Sequence, residues 1–291
     1  MANAKEIKRR MQSITNTKQI TSAMKMVSAS KLRRAQNQIG AGRPYQDKLR
    51  AVLAQVASSL SGEATDPLLE VRPIQHEAFL VLSSNKGLSG GYSSHLLQEA
   101  HRAIREAQEQ GHEVSVIAVG RKARDYFIKN AITIDEEYLE TNDIPDPVDS
   151  EMIAKAIRSA YELGKYDKVS IVYQAFHSVM SQKPTTVTLL PIEVEGVSGE
   201  EDSQYAVDYL FEPDAQSILS QLLPMYLTNQ IHGCMCEAKT GEHGARMTAM
   251  TAATDNATEL LSKLRISYNR ARQAAITNEI TEIVAGADAL N

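Results

Sequence analysis

Tryptophan is absent from this 291-residue chain and phenylalanine occurs only four times, which argues against a thick aromatic core. Ala, Ser, Thr and Met are abundant instead and suit thin helix–helix contacts. Cysteine is scarce as well. The only two, Cys234 and Cys236, exclude a secreted scaffold held by disulfides. No apolar run approaches the ~20 residues that span a bilayer. The opening M-A-N-A-K-E-I-K-R-R has no signal-peptide apolar region. The expectation is a soluble or peripherally attached protein, cytosolic unless carried in something larger, with one large domain or two small ones.

What is present is unevenly distributed. The net charge of −5 conceals a basic N-terminal arm. Residues 1–50 hold twelve Lys or Arg against Glu6 and Asp47, a balance of +10, which leaves −15 for the rest. Such an arm is either a solvated helix face or a surface for nucleic acid, anionic lipid or an acidic protein. Its basic residues from Lys5 to Arg34 have no interleaved aromatics for base stacking, although RNA phosphates alone would suffice for binding.

Apolar spacing predicts one long helix over residues 3–58. The clusters Ile7/Met11/Ile14, Ile20/Met24/Val27, Leu32/Ala35/Ile39 and Leu49/Val52/Leu53/Val56 each step by three or four, with a register that slips between clusters. Gly40, Gly42 and Pro44 predict a kink rather than a stop. A second long helix follows Pro224, with a seam of Met250, Ala253, Ala257, Leu260, Leu264, Ser267, Ala271 and Ala274. Gly233, Gly241 and Gly244 weaken its earlier part. An antiparallel pair is the economical arrangement for the two helices.

Between them, strands at 77–83, 114–120 and 168–176 alternate with helices at 93–107, 122–129 and 150–164, and 185–192 reads as a hairpin partner or edge strand. Alternation of this kind implies a mostly parallel sheet. The expected organisation is a helical segment over 1–60, a Rossmann-like α/β domain over 75–195, and a second helical segment over 210–291 that pairs with the first. The loops T-N-D-I-P-D-P and E-G-V-S-G-E-E-D read as surface connections.

No motif announces chemistry. The stretch S-S-N-K-G-L-S-G-G-Y-S-S at 83–94 lies where α/β proteins bind phosphate, yet it matches neither glycine-rich phosphate fingerprint. It reads as a tight turn presenting Lys86 to a partner. His232, Cys234, Cys236 and His243 offer zinc-binding residue types, but helical geometry turns Cys234 about 200° away from His232. Packed thiols are the expectation there. No hydrolytic triad stands out and H-E-x-x-H does not occur, and Glu136 and Glu137 read as solvated surface. No catalytic residue, metal or cofactor is expected.

Four motifs in order resemble the gamma subunits of F-type ATP synthases. The C-terminal pattern is met at Ile276, Thr277, Glu279, Glu282, Gly286, Ala287 and Ala289. I-T-S-A-M-K-M-V-S-A-S-K-L at 20–32, S-N-K-G-L-S-G-G at 84–91 and A-R-M-T-A-M-T-A-A-T-D-N-A at 245–257 are similar to the family's remaining motifs. The resemblance spans the chain.

It implies a long antiparallel two-helix coiled coil with an inserted Rossmann-like α/β domain. It also implies the central rotor shaft of the complex, itself without catalysis. The implied partners are three alpha and three beta subunits, the epsilon subunit and the c-subunit ring, at the cytoplasmic face of a bacterial membrane. The contacts to the alpha/beta ring it implies are Met24, Lys25, Met26, Lys86, Ser89, Arg246, Gln273, Thr277, Glu279 and Glu282. Nothing resembling the regulatory thiol segment of the chloroplast relatives is present, so a bacterial type is implied. Two rival readings compete with the rotor: an RNA-binding arm on a nucleotide-binding α/β domain, and a zinc- or redox-responsive protein using 232–243.

Overall fold

The computed structural model describes residues 4–60, 65–193 and 211–288. The chain forms two compact units, one from Met1–Ser28 with Arg246–Asn291, the other from Ala29–Ala245. Helices α1 (Ala4–Ser59) and α5 (Ala215–Asp288) each contribute to both.

In the larger unit, β1 (His76–Leu82), β2 (Glu113–Val119), β3 (Ile134–Tyr138), β4 (Lys168–Ser178) and β5 (Ser181–Leu190) form one sheet in the order β3-β2-β1-β4-β5. The first four strands are parallel and β5 returns antiparallel on β4. Helices α2 (Tyr92–Glu109), α3 (Arg121–Lys129) and α4 (Pro147–Glu162) make the crossovers. Because both faces are covered, β1 reads as an apolar run rather than an alternation. Phe79 and Val81 point to a cluster with Leu96, Ile104 and Phe127 of α2 and α3. Leu80 and Leu82 point to the opposite cluster, where α4 is joined by the long helices: Leu53 and Val56 of α1 meet Leu219, Leu223, Leu227 and Ile231 of α5. Fully burying such side chains stabilises by about 1.5–3 kcal/mol each. That packing lets α1 continue through Pro44 and α5 through Pro224 without a break.

Strand β3 was not expected. Its sequence, I-D-E-E-Y, is acidic, and Glu136 and Glu137 read as solvated surface. Both lie in an edge strand: Glu137 is exposed, whereas Glu136 is half-buried and accepts the Tyr138 hydroxyl at 2.5 Å. Asp135 is held by the Tyr166 hydroxyl at 2.9 Å and Lys165 at 3.0 Å. The partners come from the loop before β4, which no local pattern announces. Another correction concerns the glycines of α5. Gly241 is a buried close-approach position, where a Cβ would lie 3.2 Å from the Tyr92 ring and 3.3 Å from the Gln182 side chain, whereas a Cβ at buried Gly244 would lie 3.7 Å from Phe176, an ordinary contact distance. Gly241 lets α5 lie against the β4–β5 hairpin.

The smaller unit is a helix pair. Buried and half-buried positions include Ile7, Met11, Ile14, Lys18, Thr21 and Ser28 on α1 and Met250, Thr254, Ala257, Leu261, Leu264, Tyr268 and Ala271 on α5, with Thr15, Ser22, Met24 and Ala253 half-buried beside them. Both sets keep one heptad register. The expected seam through Leu260, Ser267 and Ala274 is therefore one residue out after Ala257; of the expected Ile20/Met24/Val27 cluster only Met24 is half-buried, while Lys25 is exposed. The reason is visible at Thr21, whose hydroxyl accepts from that of Thr254 at 2.8 Å. A hydroxyl pair holds the seam, and apolar Ile20, Val27 and Leu260 remain about half-exposed or more.

Candidate partner-contact surface

The family-implied residues separate sharply by burial. Lys25, Met26, Lys86, Gln273, Thr277, Glu279 and Glu282 are exposed and Met24 is half-buried. Ser89 and Arg246 are buried, 3% and 9% exposed. Both are buried within the chain.

The smaller unit carries the largest cluster of exposed residues. Antiparallel pairing in the register of Thr21 with Thr254 sets Ala4 opposite Ala271. Since the described part of α1 begins at Ala4, α5 has no described counterpart beyond that point. Residues 272–285 are all exposed, and Ile276, Ile280, Ile283 and Val284 form a stripe at helical spacing, 46–72% exposed. Gln273, Thr277, Glu279 and Glu282 stand around it. The Thr277 hydroxyl donates to the Gln273 carbonyl at 3.0 Å, which leaves its methyl facing outward. Gly286 and Ala287 fall within α5, and Ala289 is outside the described residues. By sequence the smaller unit carries +5 and the larger −10, so the basic character persists in the unit with the exposed stripe.

In the larger unit, the turn after β1 is firmly held. Ser83 Oγ donates to Val119 O at 3.0 Å and accepts from Ala123 N at 2.8 Å. Ser84 Oγ pairs with Ser93 Oγ at 2.7 Å, and Asn85 Oδ1 accepts from Arg121 N at 2.9 Å. Gly120 is required beneath it, because its φ of +91° is a glycine conformation and a Cβ there would lie 2.5 Å from Ser83 O. On this rigid base Leu88 adopts φ +65° and is 63% exposed. The sequence reading passed over Leu88. The signal for it was an apolar residue in a turn otherwise made of Gly, Ser and Lys.

The carboxyl ends of β1 and β2, where open α/β sheets hold nucleotides, are covered by α5. A cavity of about 10 Å³ remains among Leu82, Ser83, Tyr92, Val119, Thr141, Met235, Ala238, Lys239 and Glu242, room for one water at most. The Tyr92 hydroxyl donates to Ala238 O at 2.5 Å, and Lys239 pairs with Glu242 at 3.4 Å. A nucleotide-sized ligand does not fit there.

The 232–243 stretch forms no metal site. Its helix is unbroken, and no group of three His, Cys, Asp or Glu among the described residues is placed to hold a metal. His232 Nδ1 pairs with Ser150 Oγ at 2.8 Å and Nε2 with Cys236 Sγ at 3.5 Å. Both thiols are buried. Burial, then the nearby Glu237 carboxylate, pushes Cys234 up to about 12 and Cys236 up to about 11, so both stay protonated and poorly nucleophilic.

Comparison with known proteins matches these features to one family. The profile of the ATP synthase family covers residues 3–290. The ATP synthase gamma chain of Desulforamulus reducens is 43% identical over 290 residues, and that of Desulfitobacterium hafniense 44% over 291, each match covering 100% of both chains. Among solved structures, a chain of the Euglena gracilis mitochondrial ATP synthase in its OSCP/F1/c-ring assembly aligns over 99% of this chain and 94% of its own. Its TM-score is 0.65 at 18% identity. A chain from the central stalk and c-ring of the Tetrahymena thermophila mitochondrial ATP synthase aligns over 80% of this chain and 99% of its own, with a TM-score of 0.61 at 19% identity. The solved structures share the fold, a mixed five-stranded α/β sheet joined to a long C-terminal helix; the relatives above 40% identity share the sequence from end to end. The chain belongs to the ATP synthase gamma-chain family.

Proposed function

We propose that this chain is the central rotor shaft of an F-type ATP synthase and performs no catalysis itself. The observation that carries this reading is the end of α5, exposed on every face over 272–285, which belongs in a partner's collar. Functionally the chain divides into helical segments 1–60 and 210–291 around the α/β module 75–195. Three alpha and three beta subunits surround the helices, and the α/β module meets the epsilon subunit and the c-ring at the cytoplasmic face of the bacterial membrane. A two-helix shaft cannot match a threefold hole, so each beta subunit meets a different face. Differential contact biases nucleotide affinity site by site, and turning the shaft moves that bias around the ring.

Met24, Lys25 and Met26 on α1, and Gln273, Thr277, Glu279 and Glu282 on α5, supply the ring contacts in this reading; Lys86, with Leu88 beside it, supplies a separate one. Ser89 and Arg246 act by shaping their surroundings. The filled crevice and the lack of aromatics among the basic residues from Lys5 to Arg34 weigh against the RNA-binding alternative. The test is reconstitution with the alpha and beta subunits of a close relative. Stable assembly with ATPase activity that the separate components lack is expected; failure to assemble under conditions where the relative's own gamma chain does so rules the reading out.

A further inference from the structure

The loop between β3 and α4 touches both long helices within the larger unit. Its Asp143 carboxylate pairs with Lys31 of α1, the Asp143 carbonyl accepts from His243 Nε2 of α5 at 3.3 Å, and the Pro145 carbonyl accepts from Gln38 Nε2 of α1 at 2.9 Å. The loop is itself anchored at both ends. Upstream, Gly120 N donates to Tyr138 O at 2.9 Å; downstream, Asp146 caps α4 by accepting from Val148 N at 3.0 Å, with Pro147 at the favoured first helical position. Pro145 between them is buried. Lys31 and His243 each stand three residues from the point where their helix passes from one unit to the other.

We infer that residues 139–146 form a clasp, with Asp143 as its positioning residue, that ties α1 and α5 together to the sheet at their last turns in the larger unit. No motif led to it, because a loop carbonyl and a surface ion pair have no sequence signature. The Lys31 ammonium holds the Asp143 carboxyl below the usual range, with His243 and Lys239 also favouring its charged form. On the rotor reading, on which this consequence rests, the clasp makes both helices turn with the α/β module rather than slide past one another.

Amide hydrogen exchange on the full chain tests it. The Lys31→Ala/Gln38→Ala variant removes both ties to α1 and leaves the α5 tie and the buried seam untouched. Exchange should quicken about two- to fivefold, the scale of exposed ion pairs and single hydrogen bonds, over residues 29–40 and also over 237–245, with 76–82 unchanged. Asp143→Ala should quicken the 29–40 window about as much as Lys31→Ala, and combining the two should add little further, because both remove one ion pair. An unmoved 237–245 window, or fully additive effects of Lys31→Ala and Asp143→Ala on 29–40, overturns the clasp. The rotor reading is judged separately by assembly with the alpha and beta subunits, so either can fail without the other.

Discussion

Replacing Ile276, Ile280 and Ile283 together by serine should cost assembly far more than folding. These side chains are 46%, 55% and 72% exposed. Each therefore keeps about half or more of an isoleucine's burial free energy, some 1.5–3 kcal/mol when complete. Weighted by those exposures, a collar that fully enclosed the stripe would lose roughly 3–5 kcal/mol, or about 10²-fold to several thousandfold in affinity. Area bookkeeping runs high for protein association, which places the expectation toward the lower end. In the isolated chain, the same changes touch a helix surface already in water and should shift stability by under about 0.5 kcal/mol each. The assay has two arms: thermal unfolding of the isolated chain by circular dichroism, and titration into alpha and beta subunits followed by recovered ATPase. Undiminished affinity for the ring would refute the collar argument. A drop of several degrees in the isolated chain's melting temperature would show instead that the stripe is already covered within the chain.

Gly120→Ala must place a Cβ 2.5 Å from Ser83 O at a φ that non-glycine residues avoid, and should destabilise the larger unit by about 2–4 kcal/mol, read as earlier urea unfolding; a loss under about 0.5 kcal/mol would mean the turn is softer than described. Leu53→Ala empties a fully buried position shared by α1 and α5 and should cost about 2–5 kcal/mol in the same assay. Neither Cys234 nor Cys236 should react with an aromatic disulfide reagent at neutral pH until the chain unfolds, since burial raises both thiols; prompt native labelling would contradict their packing. For Asp167, burial opposes the charge, but the His76 and Gln75 amides donating at 2.9 Å prevail and its carboxyl is lowered. Asp135 is likewise lowered, against its own desolvation, by Lys165, Tyr166 and Ser115. A lowered carboxyl lends stability above the ordinary carboxylate range that is lost as pH falls through its folded value. The urea midpoint should therefore decline below about pH 4, and Asp167→Asn should flatten that decline.

Sequence alone determined the elements whose signals are local. The three- and four-residue apolar spacing gave α1, in spite of Pro44, and the part of α5 beyond Pro224, and the apolar runs at 77–83, 114–120 and 168–176 gave three strands buried on both faces. The tail was marked only through the family resemblance, because helical spacing at Ile276, Ile280 and Ile283 does not say what covers it. Tertiary structure alone decided three things. Strand β3 exists because Lys165 and Tyr166, thirty residues on, neutralise Asp135. The seam of the helix pair follows a Thr21–Thr254 hydroxyl bond and small residues, so hydrophobicity pointed to Leu260 where geometry chose Leu261. And the β1–β2 crevice is closed by a helix more than a hundred residues away in sequence, with Gly241 letting it approach. In each case the deciding energy belongs to a contact between distant residues, which no window along the chain contains.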